Sequence, residues 1–326
     1  MSENKPPIIE LKNLTVRFNL DKHNTVHAVT DVNLKIAEGE TVGLVGESGC
    51  GKTTLGRAIK YIYPPTSGEV LYEGKSIHEM HGAEKSRYNQ EVQMIFQDPY
   101  SSLDPRMTVR DIVKEGMRAH RIGNAKEMDD RVDELLEMVG MYREHARRFP
   151  HEFSGGQRQR IGVARALAVN PRFIVCDEPT SALDVSVQAQ VIKLFNSLQK
   201  RLGLTYLFIS HDLAMVKYVS DRVAVMYLGK IVEIAPSERL YENPQHPYTK
   251  ALLSAVQIPD PHVEHARQKL LIKGEVQSPI NLSDQGCSFA PRCPWAVGNC
   301  KIGKCSMYEV EPGHFTACTA AADHRV

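Results

Sequence analysis

Nine consecutive residues, Gly46, Glu47, Ser48, Gly49, Cys50, Gly51, Lys52, Thr53 and Thr54, carry the most specific chemical signal in the chain. They satisfy the pattern G-x-x-x-x-G-K-[ST], which gains its meaning from context. An apolar run, Thr41 to Val45, precedes them as a buried strand, and a helical pattern from Leu55 to Ile59 follows. The glycines let the backbone curl so that amide N–H groups converge on phosphate oxygens, and the helix adds the positive end of its dipole. Lys52 supplies a cation for the β- and γ-phosphates, and the Thr53 hydroxyl a ligand for Mg²⁺. The chain is expected to bind a nucleoside triphosphate.

Two further constellations bear on what happens to that ligand. The apolar run Phe173 to Cys176 ends on a pair of carboxylates, Asp177 and Glu178. Phosphoryl transfer to water needs one carboxylate to hold Mg²⁺ and a second to polarise the attacking water. Paired acids at a strand end are common by chance; about 120 residues after a phosphate loop they carry weight. The stretch Ser154-Gly155-Gly156-Gln157 opens an arginine-rich helix. It reads either as a serine cap with flexible glycines or as a nest of N–H groups suited to a γ-phosphate.

Elements must place these groups together. Residues 8–45 read as β-rich, with a turn at Glu38-Gly39-Glu40, and a β-like SGEVLYEG precedes a strand from Val92 to Phe96 that stops at Gln97-Asp98-Pro99. From Thr108 to about Leu167 the apolar spacing becomes helical. Buried strands return in FIVCDE and TYLFISH, and VAVMYLGKIVEIA completes the sheet. Short strands separated by helices give an α/β domain with a helical insertion. From about Gln257 the composition shifts to Pro, Gly, Ser and Cys, marking a small loop-rich extension.

The 326 residues suffice for one large domain and a smaller one. A net charge of +1 gives no electrostatic case for nucleic acid. The polar start MSENKPPIIE reads as carrying no secretory signal, and no apolar run approaches the ~18 residues of a membrane span. Five of the seven cysteines crowd into the last 40 residues, while Cys50 lies in the phosphate loop and Cys176 in a strand. Cys287, Cys293, Cys300 and Cys318 are separated by gaps of five, six and seventeen residues, unlike the tight C-x₂₋₄-C pairs of structural zinc. Four thiolates on a loop-rich segment suit an iron–sulfur cluster, with zinc and unligated thiols as the alternatives and Cys305 as a spare ligand.

The phosphate loop, Gln97, Ser154–Gln157, Asp177-Glu178, Ser181-Ala182-Leu183-Asp184 and His211 occur in the order found in ABC-transporter ATPases, and residues 8 to about 235 resemble that family. The resemblance implies a P-loop NTPase with a RecA-like core, an antiparallel β subdomain and an inserted α-helical subdomain, plus the Cys-rich extension. It divides the chain into an ATPase domain, 1–256, with its helical part at about 100–167, and an extension, 257–326. It makes Glu178 the catalytic base, His211 the γ-phosphate and water positioner, and Gln97 a contact to Mg²⁺ and a sensor of the permease. Asp177 holds Mg²⁺, and Phe18 stacks on adenine, with His27 the weaker contender. Ser154, Gly155, Gly156, Gln157 and Asp184 join an ATP held by a second ATPase domain. With one phosphate loop and one SGGQ, the chain must dimerise.

Three further stretches, QDPYSSLDPRMTV, NPQHPYTKALLSAV and GEVQSPINLSDQGCSFAPRCP, are similar to the peptide, oligopeptide and nickel importer ATPases, most nearly the second ATPase of the pair. That branch implies a paralogous ATPase partner, two transmembrane permease subunits, an extracytoplasmic binding protein and a peripheral place on the cytoplasmic side of a prokaryotic cell membrane. Similar tails in the branch support a 4Fe–4S cluster. The expected cargo is a di- or oligopeptide, with nickel or short oligosaccharides as alternatives. A soluble ABC ATPase of DNA repair or translation is the rival from another class.

Overall fold

The computed structural model describes residues 7–256, 270, 272, 274–283, 285–302 and 305–322. Much of the expected extension at 257–284, and its last four residues, thus lie outside the described residues. In chain order come β1 (Pro7–Asn19), β2 (Thr25–Ala37), β3 (Thr41–Val45), α1 (Lys52–Ile59), β4 (Ser67–Tyr72), β5 (Lys75–Ser76), α2 (Gly82–Glu91) and β6 (Val92–Ile95). Three helices follow, α3 (Val109–Ala119), α4 (Ala125–Met138) and α5 (Gly155–Leu167), then β7 (Phe173–Asp177), α6 (Val185–Leu202) and β8 (Thr205–Ile209). The remainder comprises α7 (Leu213–Val219), β9 (Arg222–Tyr227), β10 (Lys230–Pro236), α8 (Ser237–Glu242), α9 (Pro247–Ala255), β11 (Tyr308–Glu311), β12 (His314–Thr316) and α10 (Thr319–Ala322).

Two compact units, each discontinuous in sequence, emerge from these elements. The first takes in the chain up to Glu10, Lys35–Thr41 and Leu71–Ile209. Its β6, β7 and β8 are parallel neighbours, with Ile95 opposite Cys176 and Asp177 opposite Ile209. Every residue of β7 and β8 is buried, as expected for parallel strands covered on both faces. In the same unit α3 packs on α4 and α5, and Ile112, Val113, Val132, Leu135, Leu136 and Ile161 of these helices are all buried. Each such side chain contributes roughly 1.5–3 kcal/mol when removed from water. Thr108, Asn124 and Ser154 accept backbone N–H bonds at the starts of α3, α4 and α5, so each helix begins at a polar cap.

The second unit takes in Leu11–Leu34, Val42–Val70 and the chain from Ser210 onward. Here β3 runs parallel to β9, with Val45 opposite Val225, and β9 turns back antiparallel into β10. The run VAVMYLGKIVEIA is therefore a hairpin, because Leu228 and Gly229 both adopt left-handed conformations (φ 42° and 80°) between its two apolar halves. β12 then pairs with β10 and β11 with β12, so the described tail extends the sheet that begins with the phosphate-loop strand. That joint is buried: the Glu233 carboxylate, fully inaccessible, accepts from the Gln245 and His246 amides (2.7 and 2.9 Å) and lies 2.7 Å from His314 Nε2.

Candidate active site

The phosphate loop leaves β3 and enters α1 within the second unit. Two of its glycines are required by close approach as well as by conformation. A Cβ on Gly46 (φ 154°) would lie 2.2 Å from the Met226 carbonyl oxygen, and one on Gly51 (φ 106°) would lie 2.0 Å from that of Ala28. Both carbonyls belong to strand backbone, which cannot retreat. Lys52, 4% exposed, curls back over its own loop, its Nζ donating to the carbonyls of Gly46 (2.8 Å) and Glu47 (3.0 Å). Ser48 and Gly49 are exposed and Thr53 and Thr54 half-buried, while burial of Cys50 pushes its thiol pKa up. Glu47 is held from the C-terminal side: its amide donates to Tyr248 Oη (2.9 Å) and its carboxylate meets the Arg292 guanidinium (3.0 Å).

Other expected residues of this unit lie on defined elements. Phe18, near the end of β1, packs edge-on against Tyr63 with centroids 5.2 Å apart. Arg57 of α1 donates to the Tyr63 hydroxyl at 2.9 Å. Tyr63 escaped the sequence reading because nothing in its neighbourhood marks an aromatic pair. His27 sits in β2, its amide donating to the Pro279 carbonyl (2.9 Å). His211 is exposed just after β8, ahead of Asp212, which caps α7.

In the first unit, β6 and β7 deliver Gln97 and the carboxylate pair to the same strand ends. Gln97 Nε2 donates to Glu178 Oε2 at 2.8 Å. Asp177 is 1% exposed, and Glu178 adopts a left-handed backbone (φ 43°) with its amide donating to the Ile209 carbonyl (3.0 Å). A non-glycine residue in that region costs about 1–3 kcal/mol, a strain found where a side chain must be aimed. Ser154 and Gln157 close a reciprocal cap: Ser154 Oγ accepts from the Gln157 amide (3.4 Å), and Gln157 Oε1 accepts from the Ser154 amide (3.1 Å). Gly155 is half-buried, and a Cβ on Gly156 would meet Val187 Cγ1 at 2.4 Å. Asp184 is the exposed residue before α6, its carbonyl accepting from Val187 and Gln188.

Cys287, Cys293, Cys300, Cys305 and Cys318 all line one cavity of about 200 Å³, together with His246. Every cysteine of the chain is free. A hydrogen bond between Cys287 and Cys305, with burial, pushes the Cys287 pKa up to about 12, and the same bond draws Cys305 down to about 7. Burial raises Cys293 to about 11. Among the described residues no three His, Cys, Asp or Glu side chains are gathered as one metal ion requires.

A strand–glycine loop–helix with a buried lysine, and a strand-end carboxylate pair joined to a glutamine, are the parts of a nucleoside triphosphatase. Residues 29–181 match the ABC transporter family, and residues 232–300 match the oligopeptide/dipeptide transporter C-terminal region. The oligopeptide transport ATP-binding protein OppF of Bacillus subtilis is 53% identical over 96% of this chain and 97% of its own length. The chain belongs to the ABC transporter family. Another relative of this ABC ATPase, the putative oligopeptide transport ATP-binding protein YkfD of B. subtilis, is 55% identical over 96% of this chain and 95% of its own length. Among solved structures, the dimeric ATP-binding cassette MJ0796 bound to ADP and Pi superposes with a TM-score of 0.64 at 29% identity, covering 70% of this chain and 98% of that one. CbiO1 from Clostridium perfringens, part of the transporter complex cbiONQ, gives 0.66 at 25% identity, covering 80% and 99%. The ABC ATPase fold is thereby shown, and no helix among the described residues is long and apolar enough to cross a membrane.

Proposed function

We propose that this chain is the ATP-hydrolysing subunit of an ABC importer for di- or oligopeptides. The observation that carries the reading is a complete set of triphosphatase parts in a chain about half identical, over nearly its whole length, to oligopeptide transport ATP-binding proteins. In this reading residues 1–256 are the ATPase domain, with a helical subdomain at about 100–167, and 257–326 a Cys-rich extension. Lys52 leaves its loop carbonyls for the β- and γ-phosphates, the Gly46–Thr54 loop wraps those phosphates with its amides other than that of Glu47, which Tyr248 holds, and Phe18 stacks on adenine. Thr53, Asp177 and Gln97 would hold the Mg²⁺, which neutralises developing phosphate charge. Glu178 takes the proton of the attacking water, and His211 positions that water and the γ-phosphate.

Ser154, Gly155, Gly156, Gln157 and Asp184 face an ATP on a second, paralogous ATPase subunit. Ser154 is exposed, and beside Asp184 the apolar Val185 is 82% exposed, which supports a protein partner there. Two permease subunits complete the complex, fed by an extracytoplasmic binding protein, with this subunit on the cytoplasmic face of the membrane. Exposed Tyr100, 57% accessible in the segment after Gln97, suits a permease coupling helix.

Five thiols lining one cavity support a 4Fe–4S cluster there, with zinc as the runner-up. Cys287, Cys293, Cys300 and Cys318 would hold it, with Cys305 as a substitute, and it would serve to hold the loop-rich tail together. The test of function is reconstitution with the paralogous ATPase and permease pair. Mg-ATP-driven peptide uptake, abolished by Lys52→Ala in this subunit, is the expected result; uptake of nickel or oligosaccharide but no peptide would overturn the cargo.

A further inference from the structure

The tail does more than extend the sheet. Tyr227, Tyr248 and Phe289, each no more than 1% exposed, interlock with ring centroids 4.6, 5.3 and 5.5 Å apart. On one side of this cluster lies the cysteine cavity. His246 reaches it, hydrogen-bonding Cys287 while its Nδ1 accepts from the Tyr248 amide (3.1 Å). Tyr248 of the same cluster also reaches the phosphate loop. Two residues beyond His246, Tyr248 Oη takes the Glu47 amide, so that amide is not among those open to a phosphate. Arg292, which directly precedes Cys293, forks onto Glu47, with Nη1 at 3.0 and 3.3 Å and Nη2 at 3.4 Å from the carboxylate oxygens. The two side chains are 10% and 26% exposed, so the pair is poorly screened by solvent.

We infer that Arg292 and Tyr248 are positioning residues of the phosphate loop, through which the cysteine-rich tail sets nucleotide affinity. Lys52 at present also holds the Glu47 carbonyl, but its ammonium must turn to the phosphates when nucleotide binds. The contacts from Tyr248 and Arg292 then hold Glu47 in place against the rigid aromatic cluster. Without them a glycine-rich loop must be ordered at the moment of binding, which weakens affinity. The chemistry at saturating nucleotide should be little changed, because neither residue is among those assigned to the attacking water or the γ-phosphate. The inference rests on the ATPase reading but not on the presence of a cluster.

The experiment measures Kd for a fluorescent ATP analogue and KM and kcat for ATP hydrolysis. It uses the full chain assembled with its ATPase partner, for wild type, R292Q, R292K, Y248F, E47Q and E47Q/R292Q. R292Q should raise Kd and KM about tenfold with kcat within about threefold, in the ordinary range of coupling between sites. R292K should recover part of the loss, and Y248F should raise Kd about fivefold. The double variant should be little weaker than E47Q alone, since both remove the same ion pair. Wild-type Kd in R292Q, or losses that multiply in the double variant, overturns the inference. If R292Q does not fold, E47Q removes the charge of the same ion pair from the loop side, and wild-type affinity there is equally fatal. A wild-type chain that binds no ATP would instead sink the proposed function.

Discussion

Replacing Glu178 by Gln separates the chemistry of the strand-end acid from its architecture. The amide keeps the side-chain length and one oxygen, so it still accepts from Gln97 Nε2, now at 2.8 Å from Oε2. The left-handed backbone at this residue (φ 43°) costs glutamine what it costs glutamate, so that strain cancels in the comparison. Stability should therefore change by less than about 1 kcal/mol, a shift of no more than ~4 °C in Tm for a chain of this size. What is lost is the proton acceptor. General-base catalysis contributes about 10²- to 10⁴-fold, so kcat should fall by that factor, or about 2.7–5.4 kcal/mol of barrier. ATP affinity should stay within about threefold, since the charge lost is one of several around the Mg²⁺. The assay is phosphate release at saturating Mg-ATP beside binding of a fluorescent analogue in the same preparation. Turnover within threefold of wild type would refute the base assignment. A large fall in Tm or affinity would refute the claim that the Gln97 bond survives.

Gly51→Ala places a Cβ 2.0 Å from the Ala28 carbonyl at φ 106°, so strain of about 1–3 kcal/mol and overpacking of similar size should weaken ATP binding at least tenfold, read by equilibrium titration. Ser154→Ala removes one half of a reciprocal helix cap and should cost about 0.5–2 kcal/mol of stability by denaturant titration, besides lowering ATPase activity only in the assembled dimer. Glu233→Ala strands two amides and a buried histidine, and should destabilise the chain by about 3–5 kcal/mol in thermal unfolding. Anaerobic purification should yield about four iron and four sulfide per chain with a broad absorbance near ~400 nm; one zinc, or no metal, would sink the cluster.

The chemistry-bearing residues were legible because each motif is local. Gly46 to Thr54 specifies a loop and helix start directly after the strand Thr41–Val45, and the same backbone geometry that demands glycine at 46 and 51 is what cradles phosphate. Asp177 and Glu178 could be assigned to a strand end because an unbroken apolar run needs parallel neighbours on both sides. Other features depended on residues far apart in the chain. The bond between Gln97 and Glu178 spans 81 positions, and that between Glu47 and Arg292 spans 245. HPYTKALL and the PRCP stretch stood out in the sequence as marks of a branch, with no role attached to Tyr248 or Arg292. The five tail cysteines were visible as a cluster in composition, yet their spacing could not say that they share one cavity with His246.

Local sequence by itself thus determined which residues are equipped for phosphate chemistry, since turn conformation, helix capping and strand burial are set by near neighbours. The tertiary structure alone decided what those residues lean on: a tail that reads as a separate loop-rich piece adds β12 to the sheet and grips Glu47 through Arg292, beside Tyr248 of α9. The reason is physical. Sheet edges, aromatic clusters and buried ion pairs are satisfied by whichever distant segment folds against them, and no periodicity within either segment encodes that choice.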